Sequence, residues 1–268
     1  MQNNPFHFRI TSKECRAATT QANQAIRTVR WIFLISRENN LYYRCFKRAE
    51  SALCVYSSQS YHCCWKPGKI AACSLIQSQG GQTAAFQMDV TSKESIQSVM
   101  EKITNQGKKI DIFINNAGTT KWTPLFPGSI EDDTFEKRGL EVWDELMNLN
   151  LRGLWMITQV IAEYMRIQHI KGSIINIFST LEKRRPITGA SAACVVSKSA
   201  VIHLTGQLVQ ELSPHNIRIN CIIPRMFATE LTEKRLKSCG DEIKKRIPLG
   251  FVGEPEDLDA LLSYTFFQ

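Results

Sequence analysis

Two residues with usable chemistry stand four apart in "GASAACVVSKSAV", Gly189 to Val201: Cys194 and Lys198. On a helix that spacing brings both side chains to one face. A lysine one turn from a group with a labile proton favours the deprotonated form of that group. That is an arrangement for proton exchange. The thiol, with a reference pKa of about 8.5, qualifies by charge chemistry. A blander reading stands beside each. Cys194 is also a small packing residue near a helix N-terminus, and Lys198 a solvated helix lysine.

The elements that would position this pair alternate between helix and strand from Gly68 onward. Residues 69–79 read as a short helix, and "AAFQMDV", Ala84 to Val90, as a strand. "TSKE" opens the next helix as a capping box, with Thr91 as N-cap and Glu94 reaching back. Ile96, Val99, Met100 and Ile103 form one apolar face, and Gly107 ends that helix. "IDIFI", Ile110 to Ile114, is the nearly continuous apolar run of a strand covered on both faces. A long amphipathic stretch, roughly 140–168, leads to the strand "SIINIF", Ser173 to Phe178. The helix with Cys194 and Lys198 follows, to about Leu212, and then the strand "IRINCII", Ile217 to Ile223, stopped by Pro224. Strands alternating with helices imply an α/β, doubly wound parallel sheet, in which ligands bind beyond the carboxyl ends of the strands. Asp89, "NNAG" at Asn115 to Gly118, Ser179 and Pro224 lie at those ends.

Six stretches now fall in a familiar order: "NNAG", "NLNLRG" at Asn148 to Gly153, "GSIINIFS" ending in Ser179, the helix with Lys198, "IRINCIIP", and "IPLGFVGEPEDL" at Ile247 to Leu258. Together they resemble the short-chain dehydrogenase/reductase family, over about Gly68 to Ala260. The resemblance implies a Rossmann-like sheet, NAD or NADP as cofactor, and a small alcohol or carbonyl compound as substrate. It also implies a homo-oligomer paired through helices like those around 151–165 and 197–212. Members exchange the hydroxyl proton through a tyrosine four residues before a lysine. Lys198 matches the lysine, Ser179 the serine that holds the substrate oxygen, and Asn150 the asparagine that anchors a water leading to the lysine. Asp89 and Val90 match the pair flanking the adenine. Asn116, Ala117 and Gly118 match the turn under the cofactor ribose, Pro224 the end of the last strand, and Thr229 the hydroxyl near the nicotinamide amide.

Cys194 occupies the tyrosine position. Its sulfur sits roughly 3–4 Å closer to the backbone than a tyrosine oxygen, so the replacement reads as disabling. Tyrosine and cysteine codons differ by one base. Arg225 stands where members have glycine, and the chain stops at "LLSYTFFQ", before the final strand of the family. The loop between Ser179 and Cys194 is also longer than the family pattern.

Composition divides the chain near Pro67 and Gly68. Residues 1–67 carry ten Lys/Arg and three acids, a net of +7, while the other 201 carry 23 and 22, a net of +1. Six of nine cysteines lie in residues 1–73, and all fourteen glycines lie at Gly68 or later. The domain reading is therefore an anomalous basic segment, 1–67, disordered or out of frame, and a dehydrogenase-like unit, 68–268. "WIFLIS" at Trp31 to Ser36 has the pattern of a strand, but "RENN" follows it and not the family's glycine-rich phosphate turn. "YYRCFKR", Tyr42 to Arg48, read one base later, permits Ile-Thr-Gly-Ala-Ser-Arg-Gly, that same turn. Two front strands and one rear strand are accordingly expected to be missing, leaving the sheet incomplete at both ends. The scattered basic charges form no stripe for nucleic acid. No window approaches the roughly 20 apolar residues of a membrane span, and the start has no apolar signal region. The cysteines have no zinc or redox spacing and no metal is implied. A reduced, cytoplasmic chain is expected.

Overall fold

The computed structural model describes strands at 32–36 and 51–56, then residues 82–107, 109–120, 135–177, 192–224, 226–228, 230–258, 261–262 and 264–265. The strands are β1 (Ile32–Ser36), β2 (Ser51–Tyr56), β3 (Gln82–Gln87), β4 (Ile112–Asn116), β5 (Ser173–Ile177) and β6 (Arg218–Ile222). They form one sheet in the order β3-β2-β1-β4-β5-β6, and every pairing is parallel. The order reverses between β1 and β4, so their carboxyl ends form the switch point at which doubly wound sheets bind ligands. Ser36 of β1 is level with Asn116 of β4 there.

The expected doubly wound α/β sheet is present, with one correction at its front. "IFLIS" and "SALCVY", both inside the basic segment, supply the two strands expected to be missing. The compositional boundary at 67/68 is therefore crossed by the hydrogen bonding of one sheet. Apolar and β-branched content suits these runs to strands whatever glycine does around them. Among the described residues no strand follows β6. Residues 69–79, "YYRCFKR" and the loop at 180–191 lie outside the described residues.

The helices are α1 (Lys93–Asn105), α2 (Phe135–Met147), α3 (Leu154–Ile167), α4 (Ala192–Leu212) and α5 (Glu230–Arg246). The long amphipathic stretch is thus two helices, joined by a π-helical segment, Asn148–Gly153. The start of α1 also differs by one residue from expectation. The Asp89 carboxylate accepts from both the Thr91 N–H (2.8 Å) and the Thr91 hydroxyl (2.7 Å). Thr91 is thereby committed to a turn, and Ser92 becomes the N-cap, accepting from the Ser95 N–H at 3.1 Å. Glu94 accepts from the Ser92 hydroxyl. Its own backbone N–H, then that hydroxyl, hold its carboxyl below the usual range. Gly107, at φ 66°, takes the left-handed position after the helix, as expected.

One core lies between the sheet and helices α1, α3 and α4. Ile96, Val99 and Ile103 of α1 meet Ile157, Ile161 and Met165 of α3, and Leu208 and Leu212 of α4, over Phe113, Ile174 and Ile219 of the strands. Helix α4 is long and apolar enough to cross a membrane, which the inspection of apolar runs missed. In this fold it is a core helix: Ala193, Cys194, Ser197, Val201, Thr205, Leu208 and Leu212 are buried.

Candidate active site

The π segment places the site's central residue. An extra residue per turn bulges the backbone and redirects one side chain, which is why such segments recur at functional sites. Here Asn150 is turned inward and is 1% exposed. Its Oδ1 accepts from the Thr119 N–H at 2.8 Å, and its Nδ2 donates to the Thr119 carbonyl at 3.1 Å. The same Nδ2 donates to Ser197 Oγ at 3.1 Å, and the Ser197 hydroxyl donates to the Cys194 carbonyl at 2.9 Å. Asn150 thus fastens the turn after β4 to the first turns of α4. Every hydrogen-bonding position of its amide but one lone pair is used.

Lys198 and Gly118 meet at this clamp. A Cβ on Gly118 would lie 3.1 Å from Lys198 Nζ and 3.2 Å from Asn150 Oδ1. The lysine head therefore lies against the bare backbone at Gly118, where an added Cβ would be tight and the side chains would have to give by a few tenths of an ångström. Asn150 and Lys198 are brought together at Gly118, in the turn that Asn116 and Ala117 lead into after β4. Cys194 lies one turn earlier on α4, 4% exposed. Asp89 is largely committed to Thr91. Val90 is fully buried, its side chain against the backbone at Gly153, so it meets the core and not an open cleft. Pro224 is half-buried, two residues beyond β6. Ser179 and Thr229 lie outside the described residues.

Thr119 and Ser197 were not singled out from the sequence, although both are buried members of the network. The available signal was position alone: each adjoins a residue that was, Gly118 and Lys198.

The family profile described as short chain dehydrogenase matches residues 61–239. This chain belongs to that family. Among its short-chain dehydrogenase relatives is the 3-oxoacyl-(acyl-carrier-protein) reductase FabG of Thermotoga maritima, 32% identical over 186 residues, covering 69% of this chain and 70% of the relative. The NAD-dependent glycerol dehydrogenase of Listeria innocua is 34% identical over 185 residues, covering 67% of this chain and 66% of that one. The aligned stretch thus spans about two thirds of each relative. A short-chain type dehydrogenase/reductase from Mycobacterium marinum superposes with a TM-score of 0.76 at 24% identity, covering 91% of each chain. The family profile begins after β2, while the structural match covers 91% of the chain.

Proposed function

We propose that this chain keeps the scaffold of an NAD(P)-dependent oxidoreductase of small alcohols and carbonyls, but binds dinucleotide weakly or not at all and turns over little. The observation that carries this reading is the link between β1 and β2. Residues 37–50 join the end of one strand to the start of its parallel neighbour, fourteen residues without a glycine. A turn whose backbone N–H groups wrap a pyrophosphate needs glycine, for its unusual φ/ψ and for close approach of the backbone. The residues therefore suit the ribose and nicotinamide side of a dinucleotide, at Gly118 and Lys198, and not its phosphate side.

The second support is Cys194. A proton donor must come within about 2.6–3.2 Å of its target. A thiol in the place of a phenol stops short by more than that distance and is buried besides. When bound, the nicotinamide supplies the hydride chemistry. What this chain itself offers is a lysine held over Gly118 and an asparagine that fixes the turn beneath it. A reduced, cytoplasmic setting belongs to the same reading, since nine cysteines is an odd count and no pair has zinc or redox spacing.

A thermal melt with and without millimolar NAD(H) and NADP(H) tests the proposal. A ligand at 100 times its Kd stabilises by about 2.7 kcal/mol, so tight binding raises the midpoint by several degrees. The expected result is a cooperative melt that does not move. Cys194→Tyr alone is expected to yield no turnover in an absorbance assay of nicotinamide reduction. Detectable turnover in that variant would reverse the order of causes.

A second reading, a non-catalytic interaction protein, is favoured by exposed apolar side chains on two helices. Leu140 and Trp143 of α2, and Val196 and Val209 of α4, are 36–64% exposed. Sedimentation velocity is expected to show a homo-oligomer without nucleotide. A monomer throughout the concentration range would remove this reading. A chain with no cooperative melt would instead be a degenerate gene product.

A further inference from the structure

Two asparagines stand side by side beneath the site, and each has an orphaned oxygen. Register pairs Phe113 of β4 with Ile174 of β5 and Ile219 of β6. Two residues on, facing the same way, come Asn115, Asn176 and Cys221. The core packing of Phe113 and Ile174 fixes this face as the one covered by α3 and α4. Asn115 and Asn176 are 1% and 0% exposed.

Their amide nitrogens donate to those helices, Asn115 with both hydrogens and Asn176 with one. Asn115 Nδ2 donates to the Leu154 carbonyl at 3.5 Å and to Thr158 Oγ1 at 3.4 Å. Asn176 Nδ2 donates to Thr205 Oγ1 at 2.9 Å, and the Thr205 hydroxyl donates onward to the Val201 carbonyl at 2.8 Å. Both amide orientations are thereby fixed. Turning Asn115 would set its oxygen against the Leu154 carbonyl, and turning Asn176 would set its oxygen against a hydroxyl whose proton is already given away. That leaves Asn115 Oδ1 and Asn176 Oδ1 buried with no donor. A buried acceptor without a donor costs about 1–3 kcal/mol, and here two occur on adjacent strands about 4.8 Å apart.

We infer that one structural water binds between them, donating one hydrogen to each Oδ1. The chemistry selects water. Two neutral acceptors in one place need one small molecule with two donors. A hard cation would need about six oxygen ligands, and among the described residues no group of three His, Cys, Asp or Glu gathers. Asn115 immediately precedes Asn116, and Asn176 lies three residues before Ser179. The water therefore joins β4 and β5 just under the turn that Asn150 clamps. This assignment stands whether or not the chain binds nucleotide.

A high-resolution crystal structure of the full chain tests it. The expected result is a single isolated density peak about 2.8 Å from both oxygens, lost in Asn115→Leu. Three outcomes would overturn it: a dry gap, either amide donating directly to the other's Oδ1, or two waters each touching one oxygen. Water–protein NOE spectroscopy gives a second reading that needs no substitution. A long-lived cross-peak at the Asn176 side-chain amide protons supports the bridge, and none there refutes it.

Discussion

Asn150→Ala is expected to melt on the order of 10 °C below the parent chain, while Asn148→Ala, two residues away, melts within a degree or two of it. Both side chains sit in the same π segment and both make hydrogen bonds, but with different consequences. Asn148 accepts from Arg152 at an exposed position, at 3.0 Å. Water replaces that bond freely, so its loss costs about 0.5 kcal/mol or less. Asn150 makes three bonds where water does not enter, two to the backbone of Thr119 and one to Ser197. Truncation leaves the Thr119 N–H and carbonyl without partners at a residue only 5% exposed. Three lost bonds at about 1 kcal/mol each, with buried groups orphaned, give about 3–5 kcal/mol. Asn150→Asp keeps the acceptor for Thr119 N–H and loses both donors, so it is expected to fall between. Urea unfolding of the three variants supplies the ranking. Equal midpoints for Asn148→Ala and Asn150→Ala would mean that the clamp does not exist in solution.

That clamp also shows where the sequence is legible and where it is not. Strands β3 to β6 and helices α1 and α4 follow from apolar runs and periodicity, because burial on one or two faces leaves a period in the residues themselves. The cluster of Asn150, Lys198 and Gly118 was legible only through the order of motifs, since each is unremarkable alone. The π segment was not legible. One extra residue in "NLNLRG" does not disturb an apolar pattern on either side of it. Nor was the shift of the cap from Thr91 to Ser92, which depends on a carboxylate at Asp89 competing for the same N–H. The front strands were discounted because glycine is missing around them. Glycine, however, governs turns and close approaches, while strand pairing needs only extended backbone. The lack of glycine therefore speaks to the phosphate turn and not to the sheet.

A pair of glycine substitutions separates these two uses of glycine, with opposite signs expected. Gly153 ends the π segment where it presses on Val90, three residues beyond β3. A Cβ there would lie 3.0 Å from Val90 Cγ2, 3.1 Å from the Val90 carbonyl oxygen and 3.3 Å from the Asn148 carbonyl oxygen. Two of these atoms are backbone, and Val90 is fully buried and β-branched, so none yields easily. Gly153→Ala must push Val90 and the π segment apart. Overpacking of this kind costs about 1–3 kcal/mol, and Gly153→Val more. Gly206 lies in the interior of α4, on its exposed side, and a Cβ there meets nothing within 4 Å. Gly206→Ala gains helix propensity and loses unfolded-state freedom, and is expected to stabilise by about 0.5–1 kcal/mol. Chemical denaturation of both variants gives the comparison. The same methyl group added at two sites should move the midpoint down in one and up in the other. A Gly153→Ala chain as stable as the parent would mean that the π segment stands off Val90. The position of Asn150, which depends on that contact, would then need another cause.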